Sequence, residues 1–308
     1  MSKLFIIGNG FDIDLGYKTR YSDFARCKQL WPFNGATSGL AGFLEKKKET
    51  ERWLDIEKCL LEYAVNLGGT LSLLKDKGPL IETDRDSYEK LICYLSTYIK
   101  RIEQEYPIDK DSIAVKVYKA IIDNGGFKAY SFNYTDLNEI SSNLGIGTMD
   151  CIHVHGSVKE DSIILGVDST HDVYKGYDFM YKVYSPEFQS SCLRQDLALC
   201  EEVVIFGHSL GDVDYSYFKA FFKSLCREDI SMQERKKVTI FTYDDNSRFD
   251  ILRQLREMND KQMQLMFNNS DFQILCTTEC RFRDKARFEK FLQHLHDTTV
   301  IDGIGSAF

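Results

Sequence analysis

The chain is predicted to fold as an α/β protein: a Rossmann-like parallel sheet with helices on both faces and a large helical insertion after the first strand. Three observations predict it. The chain opens on a short apolar run closed by a glycine-flanked turn, KLFIIGNGFD, Lys3 to Asp12. Similar runs recur along it, several of them continuously apolar or β-branched, as parallel strands covered on both faces are. Between the first run and the second lies a stretch rich in helical periodicity and poor in strand signal.

In chain order, Lys3–Ile7 is too short and too β-branched for a helix and reads as a buried strand. Gly8 and Gly10 let the backbone turn tightly and approach a ligand, and the helix-like sequence after them would aim N–H groups at an anion. Ile13 stands where the G-x-G-x-x-G fingerprint wants its third glycine, and the next is Gly16. Taken alone, the segment reads equally well as a turn without a ligand. The insertion, at about 24–123, carries helical patterns at Trp53, Leu54, Ile56, Leu60 and Leu61 and at Leu91, Ile92, Leu95, Tyr98 and Ile99. Gly68-Gly69 and Lys77-Gly78-Pro79 are expected to break it, and it is expected to cover one side of a ligand crevice. Further strands are expected at Lys128–Phe132, Cys151–Val154, Ile163–Leu165, Glu202–Phe206, Val238–Thr242 and Phe272–Cys276, with helices at Tyr215–Leu225 and Arg248–Met266. Residues 1–308 read as a single α/β domain. The tail, Val300 to Phe308, is apolar with two glycines and suits docking on its own domain or on a partner.

Composition bounds the function. The chain of 308 residues is 43% apolar and 13% aromatic, enough for a real core, and four prolines argue against long linkers. A net charge of −8 makes a sequence-blind grip on nucleic acid unlikely, although it leaves room for a local basic patch. The nine cysteines are scattered without a C-x-x-C pair, so no zinc module is predicted. Their odd number and the absence of a secretory pattern point to reduced thiols and a cytoplasmic protein. No apolar run approaches the roughly 20 residues of a membrane span.

Four further segments deliver polar groups past strand ends, where ligands of open α/β sheets bind. SFNYTD supplies Asn133, Thr135 and Asp136. HVHG supplies His153 and His155, expected to alternate along a strand and share a face, ahead of Gly156. FGHSLG supplies Gly207, His208 and Ser209, and TYDD supplies Asp244 and Asp245. Each has a plainer reading: Asn133 as a turn former, one histidine as structural, Asp244 and Asp245 as an N-cap pair. Their succession at strand ends favours a site.

GNGFDIDLGYKTRYSDF, WLDIE at Trp53–Glu57, SFNYT, HVHG and the GHS turn together resemble the AbiH family of phage abortive-infection proteins through most of the chain. More distantly, the order of motifs is similar to the sirtuin-like NAD-binding fold. That likeness implies Asn133 and His155 as catalytic residues, and Gly207 and Ser209 as the turn holding the adenine-side ribose and phosphates. Asp12 departs from it, since sirtuins carry a serine there. The four-cysteine module of deacetylating sirtuins is missing too, so cleavage of NAD itself fits better than deacetylation. Breaking the nicotinamide–ribose bond passes through an oxocarbenium-like centre and needs a base, as glycoside cleavage does.

The resulting expectation is an NAD hydrolase acting in phage defence. His155 is its base, Asn133 orients water or ribose, and Asp12 stabilises positive charge. Gly8, Asn9 and Gly10 hold the phosphates, with Phe11, Thr135, Gly207, Ser209 and Asp244 around the nucleotide, and Glu57 and Trp53 face the crevice. NAD or a related nucleotide is the expected partner, as substrate and not as a resident cofactor. Control by homo-oligomerisation or a phage-derived trigger is expected as well. Three alternatives compete. One is a non-catalytic nucleotide sensor. A second is a G-x-S-x-G serine hydrolase using Ser209, Asp244 or Asp245, and His294 or His296. The third is a metal hydrolase built on His153, His155 and Asp136.

Overall fold

A computed structural model of the protein describes residues 2–51, 54–72, 76–188, 191–228 and 230–305, and of 68–72, 233 and 300–305 the backbone alone. Trp53 and the side chains of the tail lie outside the described residues. Among the described residues there are six strands: β1 (Lys3–Ile7), β2 (Phe127–Ser131), β3 (Cys151–His153), β4 (Glu202–Phe206), β5 (Lys237–Thr242) and β6 (Asp271–Cys276). They form one all-parallel sheet in the order β3-β2-β1-β4-β5-β6. That is the strand order of the doubly wound dinucleotide-binding fold, with its switch point between β1 and β4. The helices are α1 (Asn9–Asp14), α2 (Tyr21–Arg26), α3 (Gly39–Thr50), α4 (Ile56–Ser72), α5 (Gly78–Glu105), α6 (Ile113–Asn124), α7 (Leu137–Leu144), α8 (Leu193–Leu199), α9 (Tyr215–Ser224), α10 (Asp245–Met258), α11 (Met263–Asn269) and α12 (Lys285–Gly305).

The chain divides into two compact units. The first comprises Met1–Tyr17, Pro107–Val154 and Ser190–Phe308; the second comprises Lys18–Tyr106 and His155–Gln189. The stretch expected as an insertion therefore divides too, with α6 in the sheet unit.

In the first unit the strands are apolar on both faces because both faces are covered. Leu4, Ile6, Val203, Ile205, Val238 and Ile240 pack under α8 to α11 through Leu197, Phe218, Phe222, Ile251 and Leu255. On the opposite face Phe5 meets Phe11 of α1 and Tyr118 of α6, while Phe241 meets Phe288 and Phe291 of α12. Each such side chain contributes about 1.5–3 kcal/mol by leaving water.

The second unit is held by polar hubs inside an aromatic core. Trp31 packs edge-on against Phe24 and Phe33, and its indole N–H donates to Glu45 at 2.6 Å. Asp84 of α5, fully buried, accepts from the Tyr63 and Tyr177 hydroxyls at 2.6 Å each and from the Leu40 amide at 2.7 Å. The Leu40 bond caps α3, whose own N-cap residue Ser38 makes no side-chain cap.

Four expectations need correction. Ile163–Leu165 is buried but forms no strand; the Ile164 amide donates to the His155 carbonyl, and no sheet partner lies alongside. Gly68-Gly69 sits inside α4 and does not break it. The helix expected at Arg248–Met266 is two, α10 and α11, parted where Asp260 and Lys261 take left-handed backbone at φ 52° and 68°. The strand expected to end at Val154 stops at His153, so His153 and His155 do not share a strand face. Gly156 permits the turn that follows: at φ +72° a Cβ there would lie 1.7 Å from the Ser162 carbonyl oxygen.

Cys59, Cys200, Cys226, Cys276 and Cys280 are buried, whereas Cys93 and Cys192 are exposed. Burial pushes the thiols of Cys59 and Cys280 up to about 12 and those of Cys200 and Cys276 up to about 11. With Ellman's reagent at pH 8, Cys93 and Cys192 are expected to react at once and the five buried thiols only in denaturant. A fast phase larger than the four exposed and half-buried thiols would contradict this burial.

Candidate active site

The carboxyl end of β1 is built by interlocking two turns. The Gly8 amide donates to Phe206 O at 2.9 Å, Gly10 to Gly207 O at 2.8 Å, and Phe11 to Gly8 O at 2.9 Å. A Cβ on Gly10 would lie 2.6 Å from the Gly207 Cα, and one on Gly207 would lie 2.4 Å from Gly10 C. The glycines are required by this backbone-to-backbone fit, and of the amides in the expected phosphate turn those of Gly8, Gly10 and Phe11 are engaged within the protein. Phe11, expected beside the nucleotide, is instead fully buried against Phe5, Tyr118 and Phe206. Asn9, which opens α1, is exposed.

Asp12, on the next turn of chain, is 1% exposed. Asn133 and Thr135 reach it from the segment after β2. Asn133 Nδ2 donates to Asp12 Oδ1 at 2.8 Å and to Gly8 O at 3.1 Å. Thr135 Oγ1 lies 3.1 and 3.0 Å from the two carboxylate oxygens. Both acceptors facing Asn133 are oxygens, which fixes its amide orientation. Asn133 therefore positions Asp12, whereas the sequence reading had it orient water or ribose. Its backbone carbonyl lies 3.1 Å from His153 Nδ1 at the end of β3. A carbonyl only accepts, so in the neutral ring Nδ1 carries the proton and Nε2 is the basic atom. Asp12, Asn133, Thr135 and His153 thus form one connected network.

The β4 and β5 ends are less suggestive. His208, 5% exposed, accepts the Leu210 amide on Nδ1 at 2.9 Å and faces Asp214 with Nε2 at 3.3 Å. Ser209 is exposed, with Oγ 3.3 Å from the Gly211 amide. Asp244, expected near the nucleotide, caps α10 by accepting from Ser247 N and Oγ at 2.9 and 2.8 Å, and Asp245 pairs with Arg283. Asp136 caps α7 in the same way.

The serine-hydrolase arrangement does not form. His294 lies 3.1 Å from Glu202, the first residue of β4, while Ser209 follows the last, and a strand rises about 3.3 Å per residue. His296 is exposed beside Asp297. Among the described residues, no three His, Cys, Asp or Glu side chains gather as a metal site requires.

His155 opens the second unit's later segment and is 5% exposed. Its Nε2 lies 3.3 Å from Lys182 Nζ, which pairs with Glu57 Oε1 at 2.9 Å. An ammonium only donates, so Nε2, the atom a base would use, accepts that bond. Lys182 and Asp214 were not foreseen. Lys182 follows neither a strand nor a glycine turn, so its neighbourhood gives no signal, whereas Asp214 lies three residues past Gly211 in the turn after β4.

A six-stranded parallel sheet in Rossmann order, with a polar network at the carboxyl ends of β1, β2 and β3, defines a doubly wound, Rossmann-like α/β protein. The sequence model of the family described as Bacteriophage abortive infection AbiH matches residues 4–233. The chain belongs to the AbiH family, and its role is in abortive infection, a defence against phage. Nothing matches it among curated proteins or solved structures, so the likeness to sirtuins rests on motif order alone. Among the described residues no helix is long and apolar enough to cross a membrane.

Proposed function

We propose that this AbiH protein acts in phage defence by hydrolysing the nicotinamide–ribose bond of NAD or a closely related nucleotide. The observation that carries the reading is the buried Asp12 carboxylate, held by Asn133 and Thr135 at the carboxyl ends of two adjacent interior strands. In the reaction, water adds to the ribose carbon as the bond to nicotinamide breaks, giving ADP-ribose, nicotinamide and a proton. A fixed carboxylate stabilises the positive charge that develops on the sugar. His153, through Nε2, is the group that removes the water proton. His155, whose Nε2 accepts from Lys182, is the second candidate base. Such an activity harms its host and would be held off until infection, by self-assembly or by a phage component.

The test is nicotinamide release from NAD by purified full-length protein, alone and with phage-infected lysate. Release is expected, falling at least tenfold in Asp12→Asn and in His153→Gln, with circular dichroism unchanged in both. Asp12→Asn cells should lose protection in a plaque assay. Binding of intact NAD without release would make the protein a sensor, and failure to bind any nucleotide would sink both readings.

A further inference from the structure

A dinucleotide has two ends, and the network around Asp12 accounts for one of them. Asp12 follows β1 and takes its donors from the segment after β2. If hydrolysis proceeds there as proposed, the ribose carbon that reacts lies over that half of the sheet. In the doubly wound fold a dinucleotide straddles the switch point, one mononucleotide to each half. The adenosine half then lies across the carboxyl ends of β4 and β5.

At the end of β5 a large aromatic side chain is left out of the core. Tyr243, between the last residue of β5 and the N-cap of α10, is 60% exposed. Phe241, two residues earlier, packs against Phe206, Phe288 and Phe291 on the face of α1 and α12. The two-residue period of a strand puts Tyr243 on that same face, the one from which α1 brings Asp12. The Tyr243 carbonyl accepts from Thr278 N at 3.2 Å and Oγ1 at 3.0 Å, so the ring stands on fixed backbone. β5 is the second strand from β1, through β4, and at about 4.8 Å per strand their ends are about 10 Å apart. Ser209, exposed past β4, accepts the Gly211 amide at 3.3 Å and keeps its own O–H to donate to a ribose or phosphate.

We propose that Tyr243 is the platform on which the adenine of the substrate stacks, a specificity-determining residue that sets affinity for the adenosine half without touching the reacting bond. The proposal rests on the nucleotide reading of the Asp12 site. A base laid on an exposed aromatic ring gains stacking contact that the free protein leaves to water. Phe282, 74% exposed, follows the edge strand β6, one strand further from Asp12. Phe249 is as exposed as Tyr243 but belongs to α10, which covers the other face of the sheet.

The test is isothermal titration calorimetry of full-length protein with ADP-ribose, which carries the adenosine half but not the scissile bond. Tyr243→Ala is expected to weaken binding at least fivefold, whereas Tyr243→Phe, which keeps the ring, and Phe249→Ala bind as the wild type does. In the nicotinamide-release assay Tyr243→Ala should raise KM for NAD and leave kcat unchanged. Release from nicotinamide mononucleotide, which has no adenine, should stay at the wild-type rate. Unaltered ADP-ribose affinity in Tyr243→Ala, or an equal loss in Phe249→Ala, would overturn the platform. So would a wild type that binds no ADP-ribose. Binding that depends on Tyr243 without nicotinamide release would support the platform and overturn hydrolysis alone. Release from NAD with an unchanged KM in Tyr243→Ala would do the reverse.

Discussion

Gly207→Ala is expected to destabilise the protein by about 2–5 kcal/mol, a large share of the ~5–15 kcal/mol that holds a typical domain together. Two effects add. Gly207 sits at φ +68°, where a Cβ costs about 1–2 kcal/mol. That Cβ would also lie 2.4 Å from Gly10 C and Phe11 N, which are backbone atoms with no rotamer to change. Neither partner has room to retreat, because Gly10 N is bonded to Gly207 O and Gly207 N to Phe241 O. Gly125 supplies the control. It has the same φ of +68° with nothing within 4 Å of the added atom, so Gly125→Ala should show the backbone effect alone. Urea midpoints of the two variants separate the terms. Equal losses would mean that the two turns do not interlock as described.

Asp84→Ala is expected to be at least as damaging, through the second unit. It removes one acceptor from three donors, the Tyr63 and Tyr177 hydroxyls and the Leu40 amide, all in the interior. Each buried donor left unsatisfied costs about 1–3 kcal/mol, so a total of about 3–9 kcal/mol follows for the three. Asp84→Asn should be milder, since it keeps the shape and one acceptor oxygen. The wild-type phenols provide a second readout. Burial first, and then the Asp84 carboxylate, raises both Tyr63 and Tyr177 far above the usual tyrosine range. A raised phenol contributes stability that is complete below the unfolded value near 10 and disappears only as pH climbs through the folded one. Absorbance at 295 nm should therefore show Tyr63 and Tyr177 among the late-ionising tyrosines of the wild type, with the buried Tyr88, Tyr98, Tyr118 and Tyr130, and two fewer late ionisations in Asp84→Asn. Wild-type tyrosines that all ionise near pH 10 before unfolding would refute the hub.

The sheet was legible because parallel strands covered on both faces are unbroken apolar runs, and Leu4 to Ile7 or Val203 to Phe206 could hardly be anything else. Ile163 to Leu165 shares that appearance and fails, since an apolar run reports burial and not the presence of a neighbouring strand. The division between α10 and α11 was hidden because Asp260 and Lys261, not glycine or proline, take the left-handed backbone. In the site, Asp12, Asn133 and Thr135 were visible as polar residues just past strand ends. Their division of labour was not, because it depends on which hydrogens Asn133 directs at which oxygens. Phe11 was misjudged for a related reason: lying next to a glycine turn does not say which side of the sheet a side chain enters. The Asp84 hub joins residues 21 and 93 positions apart, a relation no local pattern records.

The central place of β1 bears on when the protein can become active. β1 is made before both of its sheet neighbours, Phe127–Ser131 and Glu202–Phe206. At a ribosomal rate of ~5–20 residues per second, its second neighbour emerges about 10–40 s later. Until then the Gly10–Gly207 fit has no second half, and before Asn133 appears the Asp12 carboxylate lacks the donor at its Oδ1. Contacts this distant in sequence also form slowly once available. If Asp12 carries the reaction as proposed, a nascent chain is inactive until β2 and β4 have both been made.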